Sequence, residues 1–369
     1  MANAVYIHIP FCKTICSYCD FCKQFYNEDL VSIYLLSLEK EIKEKYDNSI
    51  IKTIYIGGGS PSSLSKKELN KLFEILTVFK LDKDIEFTFV MNINDIDEDR
   101  LIILKNNNVN RLSIGIETIN DKFYSFLNRY NDKEVIDKNI TLVNKYFTNF
   151  NLDLMYAFPN ETKEDLLNDL SYVVSLNPTH ISIYSLIIEE HTKIYIDNVK
   201  SLDEEIESDM YYTIIKYLKE HNYNHYEISN FSKSGYESMH NLTYWNNLEY
   251  FGFGLGASGF INNIRYTNTR SLNNYSSGNY VLDEEVMTKN TNMENELILG
   301  LRKVSGINKK EFLNKYGFKI EDVFDIINLI RKELIVDDGE NIYIPEDKLY
   351  VSNSILVNFI GGSKLEWER

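Results

Sequence analysis

Tyr6-Ile7-His8-Ile9-Pro10-Phe11-Cys12-Lys13-Thr14-Ile15-Cys16-Ser17-Tyr18-Cys19-Asp20-Phe21-Cys22 contains every cysteine of the chain, four of them within eleven residues. Thiols this close along one segment can turn toward a single metal centre, whereas disulfides in a chain of this size would be spread along it. Cys12, Cys16 and Cys19 read C-x-x-x-C-x-x-C, three soft ligands that leave one iron of a cubane cluster without a protein ligand. Four thiolates on zinc, with Cys22 as the fourth, also satisfy the ligand count and stay open at this point. Zinc knuckles, however, commonly pair two C-x-x-C turns from separate hairpins, and here one segment carries all four.

Outward from this segment the chain alternates between two periodicities. Short β-type runs lie at Ala4–Ile9, Lys52–Ile56, Glu86–Met91, Arg111–Ile114, Asn151–Met155 and His180–Tyr184. Between them, Val31–Tyr46, Lys66–Phe79, Asp97–Asn106, Lys133–Tyr146 and Glu164–Leu176 repeat Leu, Ile and Phe every three to four residues, as amphipathic helices do. Strands alternating with helices predict an α/β fold with parallel strands and crossover helices. Ligands of such sheets sit beyond the carboxyl ends of the strands. The cysteine segment and Gly57-Gly58-Gly59 each follow a predicted strand, so both are expected on one rim.

After about residue 190 the alternation stops. A helix over Asp203–Glu220 leads into an aromatic, Gly-rich stretch ending near Asn268. Leu297–Arg302, Lys309–Tyr316 and Ile320–Glu333 then read as helices, followed by a β-type segment at Asn341–Ile344 and a last helix from Ser352. The organisation expected is a barrel over 1–190, an accessory region over 191–285 and a small helical C-terminal domain over 286–369.

The composition is that of a soluble globular protein, 44% hydrophobic and 25% charged. No apolar run approaches the ~18 residues of a membrane span and no leader-like segment precedes the cysteines, so a cytoplasmic, reducing compartment is expected. A net charge of -16 argues against a nucleic-acid partner.

The quoted segment resembles the radical S-adenosylmethionine superfamily, in the branch holding oxygen-independent coproporphyrinogen dehydrogenase and heme chaperones of the HemW type, the latter being the nearer. The resemblance implies a partial (β/α)₆ barrel. It also implies that Cys12, Cys16 and Cys19 carry a [4Fe-4S] cluster whose open iron chelates S-adenosylmethionine, with Cys22 a bystander. Gly57-Gly58-Gly59-Ser60-Pro61 is similar to the G-G-G-T-P segment that contacts this cofactor, which carries the role to Gly58, Gly59 and Ser60. Arg111-Leu112-Ser113-Ile114-Gly115-Ile116-Glu117 resembles R-x-S-x-G-x-Q, Asn128-Arg129 resembles the next N/G-R element, and Asn151-Leu152-Asp153-Leu154-Met155-Tyr156 resembles N-x-D-L-I-Y. Glu117, Arg129 and Asp153, with Tyr6 and Tyr18 of the cysteine segment, complete the implied cofactor-binding set.

His240-Asn241-Leu242-Thr243-Tyr244-Trp245 resembles the H-N-x-x-Y-W signature of the chaperone branch, which makes His240 the implied heme ligand. Imidazole is a common axial ligand, and aromatic neighbours offer a surface for a porphyrin. Three positions depart from the pattern: Val90 where the family has Glu in E-x-N-P, Glu117 in place of Gln, and Ser258 in place of His in Gly252–Ser258. The implied activity is uptake of heme and its delivery to apoproteins, membrane-bound respiratory ones among them, by a chain that could pair as a homodimer. The alternatives are oxidative decarboxylation of coproporphyrinogen III and radical methylation. Only eleven residues precede Cys12, little room for the N-terminal extension that the dehydrogenases use, and this favours the chaperone.

Overall fold

Each apolar run of the first half forms a strand, and in sequence order. In the computed structural model, which describes residues 2–364, β1 (Ala4–Ile9), β2 (Ile50–Gly58), β3 (Lys80–Asn92), β4 (Arg111–Glu117), β5 (Phe150–Tyr156) and β6 (His180–Ser185) pair successively and in parallel. The crossovers are α1 (Glu28–Lys45), α2 (Lys66–Leu76), α3 (Glu98–Asn106), α4 (Lys133–Tyr146) and α5 (Lys163–Ser175). Every residue of β4 is buried, as expected for a parallel strand covered on both faces. Helix starts follow local chemistry: Ser65 with Glu68, and Thr162 with Asp165, close reciprocal capping boxes at α2 and α5. The architecture is a partial (β/α)₆ barrel.

A seventh strand lies outside the sequence-level reading. β7 (Phe251–Phe253) adds in parallel to the free edge of β1, with Val5 opposite Phe251 and Ile7 opposite Phe253. Its three residues, with Gly252 in the middle and Gly254 directly after, are too few for any periodicity to announce it. What holds this returning segment is polar. Fully buried Glu41 of α1 accepts from Gly254 N–H at 2.9 Å, Asn268 Nδ2 at 2.7 Å, Tyr275 O–H at 2.6 Å and Lys45 Nζ at 2.8 Å.

Residues 1–210 and 249–285 make one unit, 211–248 and 286 onward a second. Within the second are a hairpin of Asn224–Glu227 and Asn230–Ser232, the helix Met239–Trp245, the helices Lys289–Gly300 and Lys309–Tyr316, and a small antiparallel sheet ordered Ile307–Asn308, Asn341–Tyr343, Val336–Asp337. The single helix expected over Ile320–Glu333 is two, Ile320–Val323 and Ile326–Arg331. Between them Phe324 is extended (φ -121°, ψ 155°) and buries its ring edge-on against Phe359, 5.7 Å away. Burial of that ring outweighs the helical period. Among the described residues no helix is long and apolar enough to cross a membrane.

Glu41→Ala leaves three buried donors unpaired and should cost about 3–5 kcal/mol of unfolding free energy. Urea denaturation measures it; a midpoint equal to that of the parent chain would contradict the role assigned to Glu41.

Candidate cluster and cofactor site

The cysteine segment leaves β1 at its carboxyl end and is closed at its base by a two-residue parallel pairing, Phe11–Cys12 with Gln24–Phe25. Gln24 N–H donates to Pro10 O at 2.8 Å and Tyr26 N–H to Cys12 O at 2.9 Å. Cys16 O accepts from Cys19 N–H at 3.3 Å, which makes the tight turn between the second and third cysteines. Ser17, buried at the centre of that turn, donates its N–H to Leu127 O at 3.0 Å and accepts from Ile194 N–H at 3.2 Å. Tyr18 packs against the apolar cluster formed by Phe123, Leu127, Met155, Phe158, Leu186 and Ile194. The loop is therefore tied down on both sides.

The bend after β2 clasps the same loop. Gly59 N–H donates to Ile9 O at 2.8 Å, Ser60 N–H to Phe11 O at 2.9 Å, and Ser63 O–H also to Phe11 O at 3.0 Å. A Cβ on Gly59 would lie 2.8 Å from Cys12 Sγ and 2.9 Å from Pro10 C, so only glycine permits this approach. Gly58 has φ 110°, and a Cβ there would meet the His8 ring at 2.9 Å. Ser60 Oγ is 3.2 Å from Ser62 Oγ, which in turn donates to Asp95.

His8 carries the other end of the loop. Its Nε2 lies 2.7 Å from Cys22 O, which can only accept, so Nε2 bears the proton and Nδ1 accepts from Tyr6 O–H at 2.9 Å. Burial lowers the His8 pKa to about 4, which keeps this neutral tautomer through the physiological range. Cys22 itself lies apart from the other thiols: it lies against Gly256, and Arg270 hydrogen-bonds its sulfur and also donates to Asp20 O at 2.8 Å. The thiols of Cys12, Cys16 and Cys19, by contrast, feel one another. Burial first, then Cys19 and Cys16, pushes the Cys12 thiol up to about 12.

Opposite these sulfurs stands a charged pair. Glu117 ends β4 in the left-handed region (φ 60°), where the β4–β5 register slips, a conformation that costs a non-glycine residue about 1 kcal/mol or more. Its Oε2 is 2.5 Å from Arg129 Nε, a buried ion pair. Arg129 places Nη1 3.9 Å from Cys16 Sγ and donates Nη2 to Gly115 O at 2.8 Å. Burial raises the Glu117 carboxyl to about 7 against the pull of Arg129, and Tyr18 hydrogen-bonds it. Asp153 on β5, its pKa raised by burial, is held by Asn151 Nδ2 at 2.7 Å and Ser113 O–H at 3.3 Å.

The geometry thus gathers Cys12, Cys16, Cys19, Tyr18, Gly59, Glu117 and Arg129, with Asp153 sensed by Glu117, at the carboxyl ends of β1, β2, β4 and β5. Tyr6 reaches it through His8. Val90 is half-buried on β3 opposite Ser113 of β4, and it brings no polar group. His240 belongs to the second unit, and Ser258, exposed, hydrogen-bonds Thr267 at 3.1 Å. Three residues not singled out at the sequence level shape the loop: His8, Gly256 and Arg270. Their signal was thin, since His8 lies inside an apolar strand and Arg270 lies 250 residues from the carbonyl it holds.

The donor set fits an iron–sulfur cluster better than zinc. A four-thiolate zinc needs all four sulfurs on one ion. Here Cys12 is acted on by Cys16 and Cys19, whereas the Cys22 sulfur is hydrogen-bonded by Arg270. A cubane spreads its thiolates over separate irons.

A rim of this kind on a parallel partial barrel defines the radical SAM class, and the family model described as "Radical SAM superfamily" matches residues 6–173. The chain is 35% identical to the heme chaperone HemW of Lactococcus lactis over 370 residues, 97% of each chain. It is 36% identical to the heme chaperone HemW of Bacillus subtilis over 376 residues, 97% of this chain and 99% of that one. The chain belongs to the radical SAM superfamily, in the family of these HemW relatives. In fold it is similar to the coproporphyrinogen III oxidase HemN of Escherichia coli, with a TM-score of 0.85 over 97% of this chain and 90% of that one, at 21% identity. Membership implies a [4Fe-4S] cluster and S-adenosylmethionine as cofactors.

Gly59→Ala should overpack the Cys12 sulfur at a cost of about 1–3 kcal/mol and lower iron and sulfide loading while circular dichroism stays unchanged. Loading equal to the parent chain would contradict the clasp.

Proposed function

We propose that this protein binds heme and delivers it to apoproteins, as a cytoplasmic heme chaperone built on a radical SAM barrel. The observation that carries the reading is identity of 35% and 36% over 97% of the chain to proteins named for that activity. The acceptors we infer are heme-dependent apoproteins, including membrane-bound respiratory ones, and the chain acts alone or as a homodimer. Its charge of -16 fits this set better than a nucleic-acid partner.

In this reading Cys12, Cys16 and Cys19 hold the [4Fe-4S] cluster. Gly58, Gly59 and Ser60 cradle the amino-acid end of S-adenosylmethionine, while Glu117, Arg129, Asp153, Tyr6 and Tyr18 hold its remaining polar groups. Support comes from the buried Glu117–Arg129 ion pair, whose guanidinium also places Nη1 3.9 Å from the Cys16 sulfur. With both groups bound, the site supplies one-electron reduction of a sulfonium. The chain's own work is to exclude water around Tyr18 and to fix the charge of Arg129 through Glu117.

His240 is the heme ligand we propose for the second unit. It is 1% exposed and its Nε2 shares a 2.7 Å hydrogen bond with Tyr244 O–H, edge to face, so ligation requires Tyr244 to turn away. Heme titration followed by Soret absorbance tests this. His240→Ala should weaken binding and shift the Soret band, while Tyr244→Phe removes the competing hydrogen bond and should tighten binding by up to about tenfold. Identical spectra and affinities for all three chains would remove His240, and conversion of coproporphyrinogen to protoporphyrinogen by the reconstituted protein would overturn the chaperone reading.

A further inference from the structure

Two cations of the second unit, Arg302 and Lys303, stand without a carboxylate in direct contact among the described residues, although Glu227 acts on Arg302, and Glu296 and Glu311 on Lys303, from farther off. Both follow the helix Lys289–Gly300, and their backbone is fixed by pairing with the hairpin strand: Ile228 N–H donates to Arg302 O at 3.2 Å and Val304 N–H to Tyr226 O at 3.0 Å. Tyr226 O–H accepts from Ser238 N–H at 3.2 Å, at the N-cap of Met239–Trp245. The residues around the H-N-x-x-Y-W segment and the two cations therefore form one constellation inside this unit.

The Arg302 guanidinium lies over the Trp245 ring, 5.8 Å from its centre, and donates to Asn353 Oδ1 at 3.1 Å. Lys303 Nζ donates to Asn246 Oδ1 at 2.5 Å. Among the described residues neither forms an ion pair within 4 Å. Their partners are neutral amides and a ring, which orient a cation without neutralising it. Burial lowers the pKa of both, the mark of desolvated charge. The carboxylate felt by Arg302, that of buried Glu227, is engaged by Asn230 Nδ2 and Ser229 N–H, and burial raises it to about 7. All of Trp245, Asn246, Arg302 and Lys303 are half-buried, so a solute can reach them.

A guanidinium pre-oriented on an indole presents its fork to a carboxylate, and an ammonium one residue away takes a second. The aromatic face beside them suits a flat, apolar body. We propose that Arg302 and Lys303 bind the two carboxylate arms of the tetrapyrrole, with Trp245 as the adjoining aromatic contact. This rests on the heme reading above and adds to it a docking point distinct from His240. Trp245 is five helical steps from His240, about 140° around the axis, so the two side chains leave the helix on different faces. Carboxylate capture therefore does not require the buried imidazole to open.

The test titrates heme and its dimethyl ester, whose carboxylates are masked, into the full chain and follows Soret absorbance. The parent chain should bind the diacid about ten- to a hundredfold tighter than the ester, the span of one or two charge-assisted hydrogen bonds. Arg302→Gln with Lys303→Gln should bind both ligands alike, and Lys303→Gln alone, which leaves the Trp245 contact intact, should lose part of the preference. His240→Ala should keep it. Equal affinity of the parent chain for diacid and ester, with heme still bound, would overturn this assignment and leave the heme reading standing. An unchanged preference in the double variant would also overturn it, and no binding of either ligand by the parent chain would overturn both.

Discussion

The structure depends on one backbone contact: the clasp between the bend after β2 and the segment after β1. Gly59 and Ser60 donate to Ile9 O and Phe11 O across a gap that no Cβ could enter, and Cys12 Sγ sits against Gly59 as a result. Every other tie on the cysteine loop, from Ser17 to His8, only makes sense once this base is fixed. Three thiols that share one cluster need a rigid frame, because a metal cluster cannot organise a floppy loop without loss of affinity. Here the frame is backbone hydrogen bonding, which a change of surface side chains does not disturb.

Polar groups then do what an apolar core cannot. Glu41 fixes the returning strand β7, and that same segment brings Gly256 and Arg270 against Cys22. Cys22 is thereby held against Gly256 and Arg270, some 230 to 250 residues downstream in the chain. On the far side of the rim Glu117 accepts a strained backbone in order to face Arg129. The substitution of a carboxylate for an amide at this position places a second charge beside the guanidinium, while Val90 removes one from β3, so the charge at the rim is redistributed between neighbouring strands.

Much of this was legible in the chain itself. Six strands and five crossover helices follow from periodicity, since each is long enough to repeat and each buries a regular face. The cysteine spacing and the triple glycine mark the rim because both follow strands. What was not legible depends on contacts between distant segments. β7 has three residues; Phe324 breaks a helical period for the sake of one ring; and Glu41, a carboxylate inside the apolar stripe of Tyr34, Leu38 and Ile42, was the one visible hint of a buried latch. The burial of His240 and the lack of a directly contacting carboxylate at Arg302 and Lys303 are properties of packing, to which sequence periodicity is blind.

The central claim is that three thiols hold a cluster with one iron open to a sulfonium ligand. Electron paramagnetic resonance of the anaerobically reconstituted, reduced protein, read with and without S-adenosylmethionine, tests it most directly. The account predicts a [4Fe-4S] signal, retained in Cys22→Ser, whose shape changes when S-adenosylmethionine is added. A spectrum indifferent to the sulfonium, or a colourless protein that carries zinc and no sulfide, would contradict it.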